Sequence, residues 1–448
     1  MAKGEKLGKW EFLKGAMWIA FGGFVAKLIG ALYRIPLTNL IGGKGLGLYQ
    51  MVYPVYCLLL TVSATGIPSS ISKLTAEKIG KGEDDRRIFS TSMRLFFTVG
   101  LCGSILMLVI APALAKAQGS NEVLNGYYAL APSVLLVSVI SVFRGWFQGR
   151  NKMYPTALSE ITEQAVKVAF GLLFAYLFRG QVVKAVVLLL LAVTLSEGAA
   201  LLLMVYLYRR AKKPPAKAKE GGMVGMKSIL HLSIPVTFSS ILLPLSGLLD
   251  SVIAPRLLNA YTADAVTLYG LFAGGAVTVV NLPVSVCYGI AAASVPAVSR
   301  ATARRGSGAS PRKRVFFSLF VTVAVALPSA IGLYLFAEPA AKVIFRSLKG
   351  EELSILTGLI KVLSVSALAL SLTQTLSACL TAQGKPQYAA LSMLVGVVVK
   401  TVLYVGWLKN PETSVYGLAY ATNICYLVVA VLNFFFNMVA SRKKKASP

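Results

Sequence analysis

The chain has 448 residues, of which 56% are hydrophobic and 14% are charged, and its mean hydropathy is +0.70. Soluble domains carry about 25% charged residues, so this composition excludes an ordinary soluble domain and indicates a polytopic membrane protein. A net charge of +28 is also compatible with a nucleic-acid partner. However, most Lys and Arg residues lie in alternate loops between apolar runs, which is the positive-inside pattern. We therefore expect no nucleic-acid partner.

Twelve apolar runs are long enough to cross a bilayer, which takes about 20 residues. They lie at residues 15–37, 49–71, 91–114, 127–147, 155–178, 183–208, 228–254, 265–293, 315–336, 354–378, 388–407 and 414–439. An even number of spans places both termini on one side, and the Lys and Arg residues assign that side to the cytoplasm. The glycine-rich stretch 41–50 lacks the pattern of a phosphate loop and is predicted to be a turn.

A basic stretch that contains Pro and Gly, residues 209–227, divides the spans six and six. Its composition predicts a cytoplasmic linker. We therefore expect an N-terminal six-helix lobe at 1–208 and a C-terminal six-helix lobe with a basic tail at 228–448. Because six spans return the chain to the same side, the lobes should be related by a pseudo-twofold axis along the membrane normal.

A short internal echo supports two related halves. Ala157-Leu158-Ser159 recurs as Ala390-Leu391-Ser392, and a lysine follows each serine by eight residues, at Lys167 and Lys400. The first copy carries more charged residues than the second, which suggests that the N-terminal half contains more of the functional chemistry.

The first copy lies in the stretch 143–167, FRGWFQGRNKMYPTALSEITEQAVK. Its glycines, Gly145 and Gly149, predict a helix end and a short loop, and Pro155 suits the first turn of the next helix. Arg144 belongs to the basic part of this stretch and is a candidate for binding an anion.

The helix after Pro155 carries three charges on one face. Glu160, Glu163 and Lys167 are spaced i, i+3 and i+7, and an apolar run follows them. Charges at membrane depth normally face a bundle interior or a wet cavity. A simple i,i+4 ion pair between Glu163 and Lys167 is the structural alternative.

Four further charged residues lie inside apolar runs. Lys27 and Arg34 are seven residues apart on one face of a helix that Pro36 should kink, which suits an anionic ligand. Glu197 and Asp250 are candidates for coupling to Na⁺ or H⁺, or alternatively for pairing with a cation of the cavity. Snorkelling and structural ion pairing remain alternatives for all four.

The sequence contains no pattern typical of catalysis. It has no HExxH, GxSxG or Walker lysine motif, and His231 is its only histidine. Its five cysteines lie singly in apolar runs. We therefore expect neither an enzyme nor a bound metal, and no cofactor other than a coupling ion.

The stretch 143–167 and the earlier segment AKLIGALYRIPLTNLIGGKGLGLYQMVYP resemble one branch of a transporter superfamily. That branch contains the stage V sporulation protein B and polysaccharide flippases of the multidrug/oligosaccharidyl-lipid/polysaccharide (MOP) exporter superfamily. MurJ-type lipid II flippases and MATE drug exporters belong to the same superfamily. The most specific matching residues are Phe143-Arg144-Gly145, Gln148-Gly149, Pro155, Ala157, Ser159, Glu163-Gln164 and Lys167.

The resemblance implies a fold and a cargo. It implies an all-α protein with twelve transmembrane helices in two six-helix bundles around a central cavity, working by alternating access. The implied cargo is an anionic lipid-linked glycan of the undecaprenyl-pyrophosphate type, bound by Lys27 and Arg34 in the first helix. On this hypothesis Arg144, Lys167 and Lys400 add charge compensation, and Glu160 and Glu163 line the same cavity. Lipid II flippases of the group usually have two further helices, so lipid II itself is not implied as the cargo.

The resemblance also implies a location and partners. It implies the cytoplasmic membrane of a bacterium, with membrane lipids and cell-envelope synthesis enzymes as partners. The nearest competing function is a cation-coupled multidrug exporter of the MATE type, which needs a net acidic cavity. A membrane enzyme and a transport-inactive scaffold of envelope assembly are more distant alternatives.

Overall fold

The computed structural model describes the backbone of residues 2–211, 240–303 and 310–441, together with residues 229, 233 and 237. Before residue 32, burial is described only for Val25, Ile29 and Gly30. The elements of regular structure in the described residues are all helices. The helices divide into two compact units. We call them unit 1 (Met1–Ile41 and Met51–Leu248) and unit 2 (Gly42–Gln50 and Leu249–Pro448).

Unit 1 is built around a central helix, α4. Its helices are α1 (Ala2–Ala64, of which 42–50 belong to unit 2), α2 (Ile67–Gly80), α3 (Arg86–Ala117), α4 (Leu124–Gly149), α5 (Tyr154–Leu177) and α6 (Val182–Arg210). α4 packs against α2, α3 and α6, and α5 packs against α6. α4 is therefore the most enclosed helix of the unit; Arg144 lies in its last two turns, and Arg150 directly follows its last residue.

Unit 2 is built around the long helix α12. Its helices are α7 (Leu242–Leu258, which begins in unit 1), α8 (Ala265–Gly270), α9 (Val277–Ala303), α10 (Pro311–Leu335), α11 (Ala337–Ile344), α12 (Gly350–Ala382), α13 (Pro386–Trp407) and α14 (Tyr416–Ala440). A one-turn π-helix, Leu271–Ala276, connects α8 and α9. α12 packs against α9, α10 and α14, and α13 packs against α14.

The prediction of a turn at 41–50 is wrong. This stretch is helical and continues α1, apart from a break at Gly42. Gly42 has φ 66° and ψ −173°, a backbone conformation that only glycine adopts readily. Gly43 and Gly47 serve close packing within unit 2, because a Cβ at Gly43 would lie 2.9 Å from the Thr267 Cγ2 and a Cβ at Gly47 would overlap the Val266 carbonyl. The Gln50 amide also donates to the Ala273 carbonyl at 3.0 Å.

The all-helical membrane fold is confirmed. Nine helices of the described residues are long and apolar enough to cross a membrane. The difference from twelve predicted spans has three sources. The first two runs both fall mainly within α1, which breaks at Gly42. α5 carries three charges along its length, and the first part of the run 228–254 lies largely outside the described residues. Large apolar side chains on the outer faces, such as Val109 and Phe320, are exposed as contact with lipid requires.

The α4–α5 connection differs in part from its prediction. α4 runs through Gly145 and ends at Gly149, so only the second glycine marks the predicted helix end. A Cβ at Gly145 would lie 2.9 Å from the Pro68 Cα, and a Cβ at Gly149 would lie 2.7 Å from the Ser72 carbonyl oxygen. Their spacing of four therefore lets α4 approach α2 closely, as Gly-x-x-x-Gly does between membrane helices.

The predicted helix start at Pro155 is confirmed, since Pro155 lies in the first turn of α5. The turn before it contains Asn151 at φ 58°, and asparagine is among the few residues that tolerate this left-handed conformation. In unit 2 the connection from α12 to α13 has Gly384 at φ 73° and Pro386 at the helix start. The two echoes in the sequence thus occupy equivalent hairpins, one in each unit.

The close approach of α4 to α2 predicts the effect of one added methyl group. Gly149→Ala should lower the stability of the folded protein by about 1–3 kcal/mol, because the new Cβ would lie 2.6 Å from the Thr75 Cβ. Gly198→Ala is the matched control, since nothing lies within 4 Å of its new Cβ. The midpoint of thermal unfolding in detergent measures both variants. Equal midpoints for Gly149→Ala and the unmodified protein would contradict the packing.

Candidate functional site

Arg144 in α4 contacts two residues of α5. Its Nε donates to the Ser159 Oγ at 2.9 Å, and its Nη2 lies 3.3 Å from the Glu163 Oε2. The side chains of Arg144 and Glu163 are 14% and 20% exposed. The α4–α5 hairpin thus brings together an arginine and a glutamate that the sequence predicted as site residues.

The region around Glu163 also contacts α1. The second carboxylate oxygen of Glu163 accepts a hydrogen bond from the Gln164 amide at 3.2 Å. Gly30 of α1 packs against the Gln164 side chain, where a Cβ would lie 3.3 Å from the Gln164 Oε1. Arg34 follows Gly30 by four residues and therefore lies on the same face of α1. It is half-buried.

Glu197 of α6 is a buried carboxylate at the same site. Only 3% of the residue is exposed, and its Oε1 accepts a hydrogen bond from the Tyr56 hydroxyl at 3.4 Å. Glu197 interacts electrostatically with Glu163, Arg144 and Lys167. Lys167 in turn interacts with Arg34 as well as with both glutamates.

We call these five groups the charged cluster of unit 1: Arg34, Arg144, Glu163, Lys167 and Glu197. Three cations and two carboxylates give the cluster a formal charge of +1. Within the part of the chain that the structure describes, Lys167 makes no hydrogen bond or ion pair. Glu163 contacts Arg144 instead of Lys167, so the i,i+4 alternative is not the arrangement found.

A second arginine of α4 forms a tighter ion pair at the helix end. The Nε and Nη2 of Arg150 each lie 2.7 Å from one oxygen of Asp85, which is 1% exposed. The Arg150 guanidinium also lies over the Trp146 ring, 4.0 Å from its centroid. Because this bidentate pair joins the start of α3 to the end of α4, we interpret it as a structural clamp.

In unit 2, Asp250 of α7 and Lys400 of α13 form a buried ion pair. The two residues are 8% and 5% exposed. Of the two alternatives for Asp250, the structure thus shows pairing with a cation. Neither the second carboxylate oxygen of Asp250 nor the hydroxyl of Tyr404, one turn after Lys400, has a hydrogen-bond partner among the described residues.

Two other predicted site residues have less structural detail. Lys27 lies within α1, but its side chain is outside the described part. Glu160 is half-buried and lies one turn before Glu163 in α5. No group of three His, Cys, Asp or Glu residues in the described ranges could hold a metal ion.

The sequence analysis did not identify several residues that the structure places around the site. Ser159 and Gln164 were noted only as part of a motif, and Tyr56 not at all. Ser159 had a usable signal, because it is spaced i−4 from Glu163 on the same helix face. Gln164, at i+1, lies on a different face and had no such signal. Tyr56 had none, since it lies 141 residues from Glu197 in the sequence.

Comparison with known proteins agrees with the resemblance expected from the sequence. The stage V sporulation protein B of Bacillus subtilis is 26% identical over 443 residues, covering 95% of this chain and 83% of that protein. The lipid II flippase MurJ of Bacillus subtilis is 24% identical over 455 residues, covering 95% and 82%.

Among solved structures, the fold is similar to a multidrug resistance MATE family transporter of the MOP superfamily in an inward-facing conformation. That match has a TM-score of 0.79 at 16% identity and covers 94% of this chain and 96% of that one. The family model described as polysaccharide biosynthesis protein matches residues 12–302, well over half of the chain. The chain therefore belongs to the polysaccharide biosynthesis protein family.

Proposed function

We propose that this protein is an alternating-access flippase for an anionic lipid-linked glycan. The cargo is an oligosaccharide or peptidoglycan precursor on an undecaprenyl-pyrophosphate type carrier, moved from the inner to the outer leaflet. The observation that carries this proposal is the charged cluster of unit 1, in which Arg34, Arg144 and Lys167 lie among the helices of a member of this family. The named activity of the relative MurJ supports it.

The chemistry of the cluster suits a diphosphate head group. Moving a phosphate out of water is costly unless cations and hydrogen-bond donors replace its hydration. A guanidinium offers several N–H donors in a planar fork, and an ammonium adds a point charge. The carrier's lipid tail stays in the bilayer, so the protein has to shield only the polar head. Lys27 remains a predicted contributor from α1, whereas Lys400 already has Asp250 as its counter-ion.

The membrane potential is a sufficient driving force for this movement. One elementary charge crossing 100 mV changes the free energy by about 2.3 kcal/mol. A head group with roughly two negative charges is therefore driven outward by about 4–5 kcal/mol when the inside is negative. This mechanism requires no nucleotide hydrolysis.

The proposal includes a location and partners. The protein acts in the cytoplasmic membrane of a bacterium, with both termini in the cytoplasm. Its basic cytoplasmic segments contact anionic lipids. Cell-envelope synthesis enzymes supply the lipid-linked glycan and use it on the other side.

The first prediction from the proposed function concerns the cations of the cluster. Arg34→Ala and Lys167→Met should each reduce flipping of an undecaprenyl-linked sugar in proteoliposomes by about 10- to 100-fold, since a hydrogen bond to a charged group contributes about 1.5–3 kcal/mol. Lys342→Ala is the matched control, because Lys342 is an exposed cation of the short helix α11 that pairs with Glu338. If both cluster variants transport the undecaprenyl-linked sugar at the rate of the control variant, the cation mechanism is wrong.

The second prediction concerns the driving force. A potential of about 100 mV, inside negative, should raise outward flipping several-fold over zero potential, and the reversed potential should lower it. A potassium gradient with valinomycin sets the potential, and accessible head group is measured with an impermeant sugar-binding probe. Flipping that is unaffected by the sign of the potential would contradict transport of a net anion.

The alternative function is a MATE-type exporter of cationic drugs, coupled to Na⁺ or H⁺. The fold similarity and the buried acids Glu197 and Asp250 favour it. The net positive charge of the cluster disfavours it, because a cationic drug needs a net acidic site. Ion-gradient-dependent efflux of a cationic dye from the same vesicles, without flipping of the glycan, would establish this alternative.

The third prediction separates a structural from a coupling role of the Asp250–Lys400 pair. Asp250→Asn alone leaves a buried ammonium without its counter-ion and should destabilise the protein by about 3–5 kcal/mol. Asp250→Asn combined with Lys400→Met should recover most of that stability, as measured by thermal unfolding in detergent. If Asp250 couples transport to Na⁺ or H⁺, the stable double variant will flip without any dependence on that ion. A double variant that keeps the ion dependence of the unmodified protein would exclude Asp250 as the coupling residue.

A further inference from the structure

The two arginine–carboxylate pairs of α4 differ in geometry although they lie six residues apart. Arg150 and Asp85 make two contacts of 2.7 Å, and Asp85 is 1% exposed. Arg144 and Glu163 make one contact of 3.3 Å, with side chains 14% and 20% exposed. The first is a closed bidentate pair, which is the strong form of this interaction. The second is long, monodentate and partly open.

Arg144 has donor capacity that its protein partners do not use. Its Nε donates to Ser159 and its Nη2 contacts Glu163. Its Nη1 makes no hydrogen bond with any residue in the described part of the chain. The planar fork of the guanidinium is therefore only half occupied, and an oxyanion with two suitably spaced oxygens would bind it better than one carboxylate oxygen does.

Glu163 has another cation within reach on its own helix. Lys167 follows it by four residues, and a glutamate N-terminal to a lysine at i,i+4 is the favourable order for a helical ion pair. The two already interact electrostatically without an ion pair. At this spacing a glutamate and a lysine can form an ion pair on a helix surface, so Lys167 is an alternative partner for the Glu163 carboxylate.

We propose that Glu163 is a resident counter-ion that occupies Arg144 when the site is empty and gives way to a phosphate oxyanion. An empty site with an uncompensated guanidinium at membrane depth would be costly, and Glu163 removes that cost. When the phosphate binds Arg144, the carboxylate pairs with Lys167. Its return to Arg144 then favours release of the head group on the far side.

This inference rests on the proposed function only for the identity of the natural anion. It predicts that Glu163 competes with the anion for Arg144, because a side chain that occupies a binding residue lowers the affinity of that residue for the ligand. Removing the charge of Glu163 should therefore tighten anion binding, and the tighter binding should slow release. Neither effect follows if Glu163 is a residue that holds the cargo directly.

The test is calorimetric titration of inorganic pyrophosphate into the purified full-length protein. Glu163→Gln should lower the dissociation constant about tenfold, equivalent to about 1.4 kcal/mol. Arg144→Gln in the Glu163→Gln background should abolish that gain, since the two residues act as a pair. An unchanged or higher dissociation constant for Glu163→Gln would overturn the inference.

The control removes the same charge elsewhere. Glu338→Gln in α11 breaks an exposed ion pair with Lys342, whose Nζ lies 2.7 Å from the Glu338 carboxylate. The hydrogen bond from Lys342 lowers the pKa of that carboxyl, so it is ionised at neutral pH. The pyrophosphate dissociation constant of Glu338→Gln should match that of the unmodified protein within about twofold. Tightening as large as that of Glu163→Gln would mean a general charge effect and would overturn the inference.

A second substitution keeps the test valid if Glu163→Gln fails to fold. Glu163→Asp retains the charge but withdraws the carboxylate from Arg144 by one methylene, so it should tighten pyrophosphate binding to a smaller degree. Binding no tighter than that of the unmodified protein would count against the resident counter-ion.

Flipping assays then separate this inference from the proposed function. If Glu163→Gln binds pyrophosphate more tightly but the unmodified protein flips no lipid-linked glycan, the counter-ion role is correct and the proposed cargo is wrong. If the unmodified protein flips the glycan and Glu163→Gln shows no tightening, only the counter-ion role is wrong.

Discussion

The structure depends on the free-energy cost of placing charge within an apolar environment. A buried charged side chain is stable only when it is paired and hydrogen-bonded. The charged residues that the structure describes differ in how completely they are paired. Asp85 and Arg150 are fully engaged, Asp250 and Lys400 are buried as a pair, and the cluster around Arg144 is only partly satisfied. We propose that this difference in pairing separates charges that stabilise the fold from those that bind a ligand.

The sequence predicted the helical membrane class correctly because hydrophobic runs are a local property. Pro155 also marked a helix start correctly, since the constraint that proline imposes is confined to its own turn. Glycine was harder to interpret. Gly42 breaks a helix, whereas Gly47, Gly145 and Gly149 permit close helix contacts. These uses depend on which neighbour lies opposite, and that information is not in the local pattern.

The charged residues of the candidate site were predictable from the sequence, but their partners were not. Charged residues in apolar runs are conspicuous, so Arg144, Glu163 and Lys167 were identified from the sequence. Their partners were not, because an ion pair joins residues at unpredictable separations. Asp250 and Lys400 are 150 residues apart, and Asp85 and Arg150 are 65 apart. The i,i+4 rule favoured Lys167 as the partner of Glu163, and tertiary packing of α4 against α5 placed Arg144 there instead.

The short segment Gly42–Gln50 has a consequence for how the polypeptide can be divided. It belongs to unit 2 although the residues before and after it belong to unit 1. A protease cut or gene split within 209–227 therefore does not yield two self-contained pieces. The N-terminal fragment would still carry nine residues that complete the other unit, including the Gln50 amide that binds the Ala273 carbonyl. Fragment complementation, rather than independent folding, is the behaviour that this connectivity imposes.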